Sequence, residues 1–131
     1  MLTRAHSSMV LVATLLSAGC ASSGESGGPS RSRNLITQDE LMEVPHSTVY
    51  EAVRALRPRW LQARAGATFQ SREPQTARVY IDGQLRGELG EMWNLLPTEV
   101  NEIRFMSASD ATTRFGTNHI GGAIVITTRR R

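Results

Sequence analysis

The stretch Val79-Tyr80-Ile81-Asp82-Gly83-Gln84-Leu85 decides the fold, because it predicts a β-hairpin. Val79, Tyr80 and Ile81 are residue types that are enriched in strands. A type I′ turn needs positive φ at both of its central residues, and Asp82-Gly83 is one of the pairs that supply it. Asp82 and Gly83 therefore have a sufficient structural reason to be present, and the hairpin predicts a β-sheet to which other strands add.

Further strands and short helical pieces follow the hairpin. Pro97 suits the first position of a helical turn through Val100, and residues 103–106 indicate a strand. Residues 107–115 indicate a short helix closed by Gly116 in the left-handed position. The run 123–126 is continuously apolar, as expected for a strand covered on both faces.

Two helices are predicted before the hairpin. Thr37 and Glu40 fit a capping box, which indicates a short helix that ends near Val44. A second helix start is predicted within Ser47-Thr48-Val49-Tyr50-Glu51. Its buried positions recur at three- and four-residue spacing, namely Val49, Val53 and Leu56. Strands that alternate with short helices imply a small α/β (α+β) domain with a mixed sheet of about three to four strands.

Residues 1–19 carry the pattern of an export signal, with Arg4, a short apolar core over 9–16 and small residues before Cys20. The apolar core is much shorter than the ~20 residues that span a bilayer, so we expect the signal to be removed. Residues 16–20 resemble the lipobox of bacterial lipoproteins, which implies acylation of Cys20. The alternative is an ordinary secretory signal with an incidental cysteine.

Residues 20–33 are expected to form a lipidated, flexible tether. Nine of the thirteen residues from 21 to 33 are Gly, Ser or Pro, a composition that cannot bury enough apolar surface to become ordered. Cys20 is the only cysteine, and acylation would remove a thiol that is open to oxidation. By similarity to other lipoproteins, Ala21 and Ser22 imply sorting to the outer membrane, with the domain 34–131 on the periplasmic face.

The charge pattern argues against nucleic acid as a partner. All fifteen basic residues are arginine, against twelve acidic residues, and the formal net charge is +3. Arginine and glutamate are interspersed from Glu51 to Glu102, whereas nucleic-acid-binding surfaces cluster their positive charge. The basic run Arg129 to Arg131 is interpreted as a solvated terminus, or else as a contact for anionic lipid headgroups or lipopolysaccharide.

In order and spacing, residues 79–129 resemble the plug domain of TonB-dependent outer-membrane receptors. A plug domain has a strand ending in Asp-Gly, a Pro-led turn, a short helix ending in an aromatic residue and glycine, and a Gly-rich turn into a last strand. The corresponding positions here are Asp82, Gly83, Pro97, Phe115, Gly116, Gly121 and Gly122. The resemblance implies a plug-like fold for residues 34–131.

Because the sequence stops at Arg131, about where a receptor would begin its barrel, we expect a plug-like domain without a barrel of its own. Residues 21–34 also offer no extended apolar segment of the kind through which receptors couple to the inner-membrane energy machinery. A self-contained transporter is therefore not expected.

The sequence carries no pattern typical of an active site. His46 and His119 have no other histidine or cysteine at ligand spacing, so both are predicted to be solvent-facing loop residues, and neither a metal nor another cofactor is expected. Ser107 and Ser109 are interpreted as helix caps. Without a phosphate-binding loop, nucleophile elbow or paired carboxylates, enzymatic activity is not expected.

The leading hypothesis is an outer-membrane-anchored periplasmic lipoprotein whose plug-like domain is a protein-interaction or ligand-binding module. Its expected partners are the membrane, through the lipid anchor, and a separate outer-membrane barrel or envelope complex. The expected interaction surface consists of Trp93, Arg114, Asn118 and His119. The alternative is a soluble-type periplasmic carrier or sensor of a small ligand such as a siderophore or glycan, with partly buried Trp60 and Trp93 and nearby arginines lining a pocket.

Overall fold

A mixed β-sheet of five strands organises the chain in its computed structural model, which describes residues 32–43, 45–65 and 73–129. The helices and strands are, in chain order, β1 (Leu35–Thr37), α1 (Gln38–Glu43), α2 (Val49–Leu56), β2 (Arg78–Ile81), β3 (Gln84–Gly87), β4 (Val100–Met106), α3 (Ala108–Phe115) and β5 (Ala123–Thr128). Short 3₁₀ segments occur at Pro58–Leu61, Leu89–Asn94 and Pro97–Glu99. The predicted signal, Cys20 and the tether up to residue 31 lie outside the described residues.

The strand order is β1-β4-β5-β2-β3, with β5 at the centre. Strand β5 pairs antiparallel with β4 and parallel with β2, so that Val125 lies opposite Tyr80, and Ile124 opposite Phe105. The sheet has five strands where the sequence predicts about three to four. The strand that sequence patterns miss is β1, because three residues before a helix cap are too few to show a period of two.

The hairpin between β2 and β3 forms as predicted. Asp82 and Gly83 have φ of 49° and 82°, which are the positive values that a type I′ turn requires. The Asp82 carboxylate also accepts hydrogen bonds from the backbone N–H of Thr128 at 2.9 Å and from its hydroxyl at 2.6 Å. The tip of the hairpin is therefore hydrogen-bonded to the last residue of β5, the central strand.

One face of the sheet is covered by α1, α2 and the 3₁₀ segments. The core there contains the side chains of Ile103, Phe105, Ile124 and Ile126 from the sheet and of Leu41, Val49, Val53, Trp60 and Met92 from the covering segments. Helix α2 begins as predicted, because the Thr48 hydroxyl accepts a hydrogen bond from the backbone N–H of Glu51 at 3.3 Å. Val49 and Val53 are fully buried and Leu56 is half-buried.

The opposite face is covered by α3, which packs over a smaller cluster built on Tyr80, Ala111 and Ala123. Ser107 caps α3 as predicted, since its hydroxyl oxygen accepts from the backbone N–H of Asp110 at 3.2 Å. The helix ends at Gly116, whose φ of 93° is positive but whose ψ of −169° lies outside the predicted left-handed helical region. Within the part of the chain that the structure describes, no helix is long and apolar enough to cross a bilayer.

The Gly121-Gly122 pair fills a space that no side chain could occupy. A Cβ atom on Gly121 would lie 2.3 Å from the carbonyl carbon and oxygen of Thr76. A Cβ on Gly122, where φ is +85°, would lie 2.5 Å from the carbonyl oxygen of Met106. Only glycine therefore allows the turn into β5 to pass this closely between the neighbouring backbones.

Candidate functional site

A partly open cavity of about 530 Å³ lies where the end of α2, the segment Pro58–Leu61 and β4 meet. Its lining residues are Arg33, Asn34, Leu56, Arg57, Pro58, Arg59, Trp60, Arg64 and Phe105. Four of them are arginines and two are aromatic, so we call it the arginine–aromatic cavity. Its volume falls within the range of small-molecule sites in proteins.

Trp60 and Phe105 form the aromatic wall of this cavity. Their rings stack with centroids 5.6 Å apart, and Trp60 is only 4% exposed. Phe105 comes from the core-facing side of β4, whereas Trp60 is turned inward by the 3₁₀ segment that Pro58 starts directly after α2. Because both rings belong to the main core, the wall is rigid before any ligand arrives.

Arg57 is a structural member of the cavity. Its guanidinium binds both oxygens of the Glu40 carboxylate, at 2.9 and 3.2 Å, and Glu40 is only 6% exposed. The same guanidinium donates to the backbone carbonyls of Ser32, Leu35 and Leu56. Its charge is compensated by Glu40, and its donors hold the chain that enters β1 against the end of α2.

The guanidiniums of the other three arginines are accessible to a ligand. Arg33, Arg59 and Arg64 are exposed, and none forms an ion pair with a carboxylate of the described residues. The Arg64 guanidinium lies over the Phe105 ring, 5.2 Å from its centroid, which is a cation–π contact. The cavity therefore combines positive charge that no described carboxylate compensates with an apolar wall, a combination that suits an anionic ligand with an apolar or planar part.

The four residues of the predicted interaction surface do not come together. Trp93 is 47% exposed and stacks on Tyr50 of α2, with centroids 4.3 Å apart, on the face covered by α1 and α2. Arg114 is an exposed residue of α3, which covers the opposite face of the sheet, and Asn118 is exposed in the loop after this helix. The prediction of partial burial fits Trp93, whereas Trp60 is almost completely buried.

His119 is buried, so the prediction of a solvent-facing loop histidine is wrong for this residue. It is 5% exposed. Its Nδ1 lies 2.8 Å from the carbonyl oxygen of Gly116, which can only accept, so Nδ1 carries the hydrogen. In the neutral ring Nε2 then accepts from the Tyr80 hydroxyl at 2.7 Å. His119 therefore fixes the loop before β5 to the sheet, and cannot act as an exposed contact residue.

His46 also departs from the prediction, because it is half-buried and its Nε2 has no hydrogen-bond partner among the described residues. It does not line the arginine–aromatic cavity. Ser109 does not cap α3 with its side chain; its carbonyl oxygen accepts from the Thr113 hydroxyl at 3.0 Å. Nowhere in the ranges 32–43, 45–65 and 73–129 do three His, Cys, Asp or Glu side chains group closely enough to hold a metal ion.

Sequence reasoning found part of the cavity and missed the rest. It placed Trp60 and nearby arginines in a pocket, and the structure brings Trp60 together with Arg57, Arg59 and Arg64 while leaving Trp93 outside. The sequence predicts a strand that contains Phe105 and gives no indication that this residue lines a site. The signal that sequence offered is the alternation of arginine with Pro58 and Trp60 over residues 57–60. Comparison with protein-family models, curated proteins and solved structures finds no match to the chain.

Proposed function

We propose that this chain is an outer-membrane-anchored periplasmic lipoprotein whose plug-like domain binds an anionic ligand in the arginine–aromatic cavity. The observation that carries the binding role is the group of exposed guanidiniums of Arg33, Arg59 and Arg64 around the wall of Trp60 and Phe105. In this proposal the domain acts as a binding module.

The anchoring and plug-like parts of the proposal have separate supports. Anchoring is supported by the likeness of residues 16–20 to a lipobox. The plug-like assignment is supported by the order of motifs from Asp82 to Gly122 and by the adjacency of Tyr80, Val125 and Phe105 on three neighbouring strands. A plug-like fold requires these three residues to lie on neighbouring strands of one sheet.

The positive charge of the cavity favours anionic ligands. With Arg57 compensated by Glu40, the described lining residues present three further guanidiniums and no carboxylate. Guanidinium forks bind carboxylate and phosphate in a bidentate manner, whereas a neutral sugar would leave the charges without partners. An acidic glycan or an anionic siderophore therefore fits the cavity better than a neutral ligand of the same size.

We expect Trp60 fluorescence to report binding. In a Trp93→Phe background, where Trp60 is the remaining tryptophan, titration with an acidic oligosaccharide should change the emission, and its neutral counterpart should leave it unchanged. Replacing Arg59 and Arg64 by glutamine should weaken the affinity by about tenfold or more, because charge-assisted hydrogen bonds contribute about 1.5–3 kcal/mol each.

Flat titrations with every anionic candidate, in a chain whose thermal melting is normal, would contradict ligand binding. The Trp93→Phe change suits this design because phenylalanine can keep the ring stack on Tyr50. Arg57 is left intact because its bonds hold the fold.

A protein-interaction role is the second candidate, and it is favoured by three half-exposed apolar side chains on the segments that cover the main core. They are Met42 on α1, Trp93 and Leu96. If a separate outer-membrane barrel or envelope complex binds this surface, Trp93→Ala combined with Leu96→Ala should abolish its capture from envelope extracts. Leu85→Ala, which alters an equally exposed leucine on the edge strand β3, should leave capture unchanged; equal losses in both variants would exclude this surface.

A further inference from the structure

The arginine–aromatic cavity lies at the point where the chain enters the folded domain. Arg33 and Asn34 are part of its lining, and the carbonyls of Ser32 and Leu35 accept hydrogen bonds from the Arg57 Nη2 at 3.0 and 3.2 Å. These bonds fix residues 32–35 to the cavity wall. If the preceding chain is anchored to a membrane, the anchor therefore joins the domain beside the cavity and not at the opposite end of the domain.

The number of residues limits the distance between the cavity and an anchored residue 20. Thirteen peptide bonds separate Cys20 from Arg33, and a chain of that length spans at most about 45 Å. If Cys20 is held in a membrane leaflet, the cavity lies within that distance of the lipid headgroups. The ligand that it meets at the highest local concentration is then a component of the membrane itself.

The two chemical parts of the cavity match the two parts of a phosphorylated headgroup. Arg33, Arg59 and Arg64 can bind phosphate oxygens through their guanidinium forks. The carbon atoms next to the phosphate can pack on the apolar wall of Leu56, Pro58, Trp60 and Phe105. Free inorganic phosphate would use only the first part of this site.

We infer that the ligand of the arginine–aromatic cavity is the phosphate-bearing headgroup of a lipid in the membrane to which the chain is anchored. This inference rests on the proposed function, because it assumes both the anion-binding cavity and the anchor at Cys20. It assigns the domain a position pressed against the surface of its own membrane.

Vesicle binding tests the inference. The mature chain, residues 20–131, carries Cys20→Ser, so that no acyl chain contributes, and is mixed with phosphatidylcholine vesicles with or without phosphatidic acid. We expect sedimentation with the phosphatidic acid vesicles only. Arg59→Gln with Arg64→Gln should weaken this binding about tenfold or more, since both lost contacts are charge-assisted.

The matched control is Arg54→Gln with Arg86→Gln, which removes the same charge from exposed arginines on α2 and β3 that do not line the cavity. This control should lose less than about twofold, because an exposed charge outside the cavity adds only a screened attraction to the membrane. Equal losses in the two double variants would show general attraction of arginines to an anionic surface and would overturn the inference.

Titration with soluble ligands distinguishes binding of a lipid headgroup from binding of anions in general. If glycerol 3-phosphate changes Trp60 fluorescence in the Trp93→Phe chain but the vesicles are not bound, the cavity is an anion site and the lipid source is wrong. If neither soluble anions nor vesicles have any effect, the proposed function fails together with the inference.

Discussion

Replacement of Gly121 by alanine should lower the free energy of unfolding by about 3 kcal/mol or more. The new Cβ would lie 2.3 Å from backbone atoms of Thr76, and a backbone cannot rotate away as the end of a flexible side chain can. Relief requires the turn before β5 to move away from residues 75–76, which would disturb the pairing of β5 with β2. We expect a fall in melting temperature of about 10–20 °C, measured by circular dichroism.

Gly90→Ala is the matched control for this change. Gly90 lies in the segment Leu89–Asn94, and an added Cβ there would meet no atom within 4 Å. Its unfolding free energy should stay within about 1 kcal/mol of the parent, because alanine also reduces the freedom of the unfolded chain. Similar melting curves for Gly121→Ala and the parent chain would contradict the close contact between Gly121 and the backbone of Thr76.

Loss of Arg57 is expected to have an effect of comparable size for an electrostatic reason. Arg57→Ala removes the guanidinium that binds both oxygens of the buried Glu40 carboxylate, and breaking such a pair from one side costs about 3–5 kcal/mol. The variant also removes donors from three backbone carbonyls. Denaturant unfolding should therefore show a much lower midpoint.

Two companion variants identify the cause. Arg54→Ala, which changes an exposed arginine on the same helix, should alter the unfolding free energy by less than about 0.5 kcal/mol. Arg57→Lys keeps the charge but loses the planar fork, so its stability should fall between that of the parent and that of Arg57→Ala. If Arg57→Ala unfolded at the same denaturant concentration as Arg54→Ala, the buried ion pair would have no structural role.

Local chemistry made the caps and the hairpin predictable. The hydroxyls of Thr48 and Ser107 bond to backbone groups three residues ahead, and the Asp82-Gly83 turn depends on its own two φ angles. Such contacts depend on only a few consecutive residues. Strand β1 was not predictable in this way, because its three residues become a strand only by pairing with residues 102–104 of β4.

The site shows the same division between local and distant contacts. Trp60 and its neighbouring arginines are close in sequence, so the sequence alone predicts their grouping. Phe105 joins them only because β4 lies next to the segment that contains Trp60. The burial of His119 depends on the Tyr80 hydroxyl, 39 positions away. No pattern within the loop 117–120 indicates that contact.

The central position of β5 sets the order in which the domain can be completed. Strand β5 follows the other four described strands in the chain, yet it separates the β1–β4 pair from the β2–β3 hairpin. Until residues 123–128 are synthesised, these two halves have no strand between them, and each has an open edge toward the missing partner. The domain can therefore be completed only after residues 123–128 have been synthesised, and until then each half keeps a strand edge that could pair with another chain.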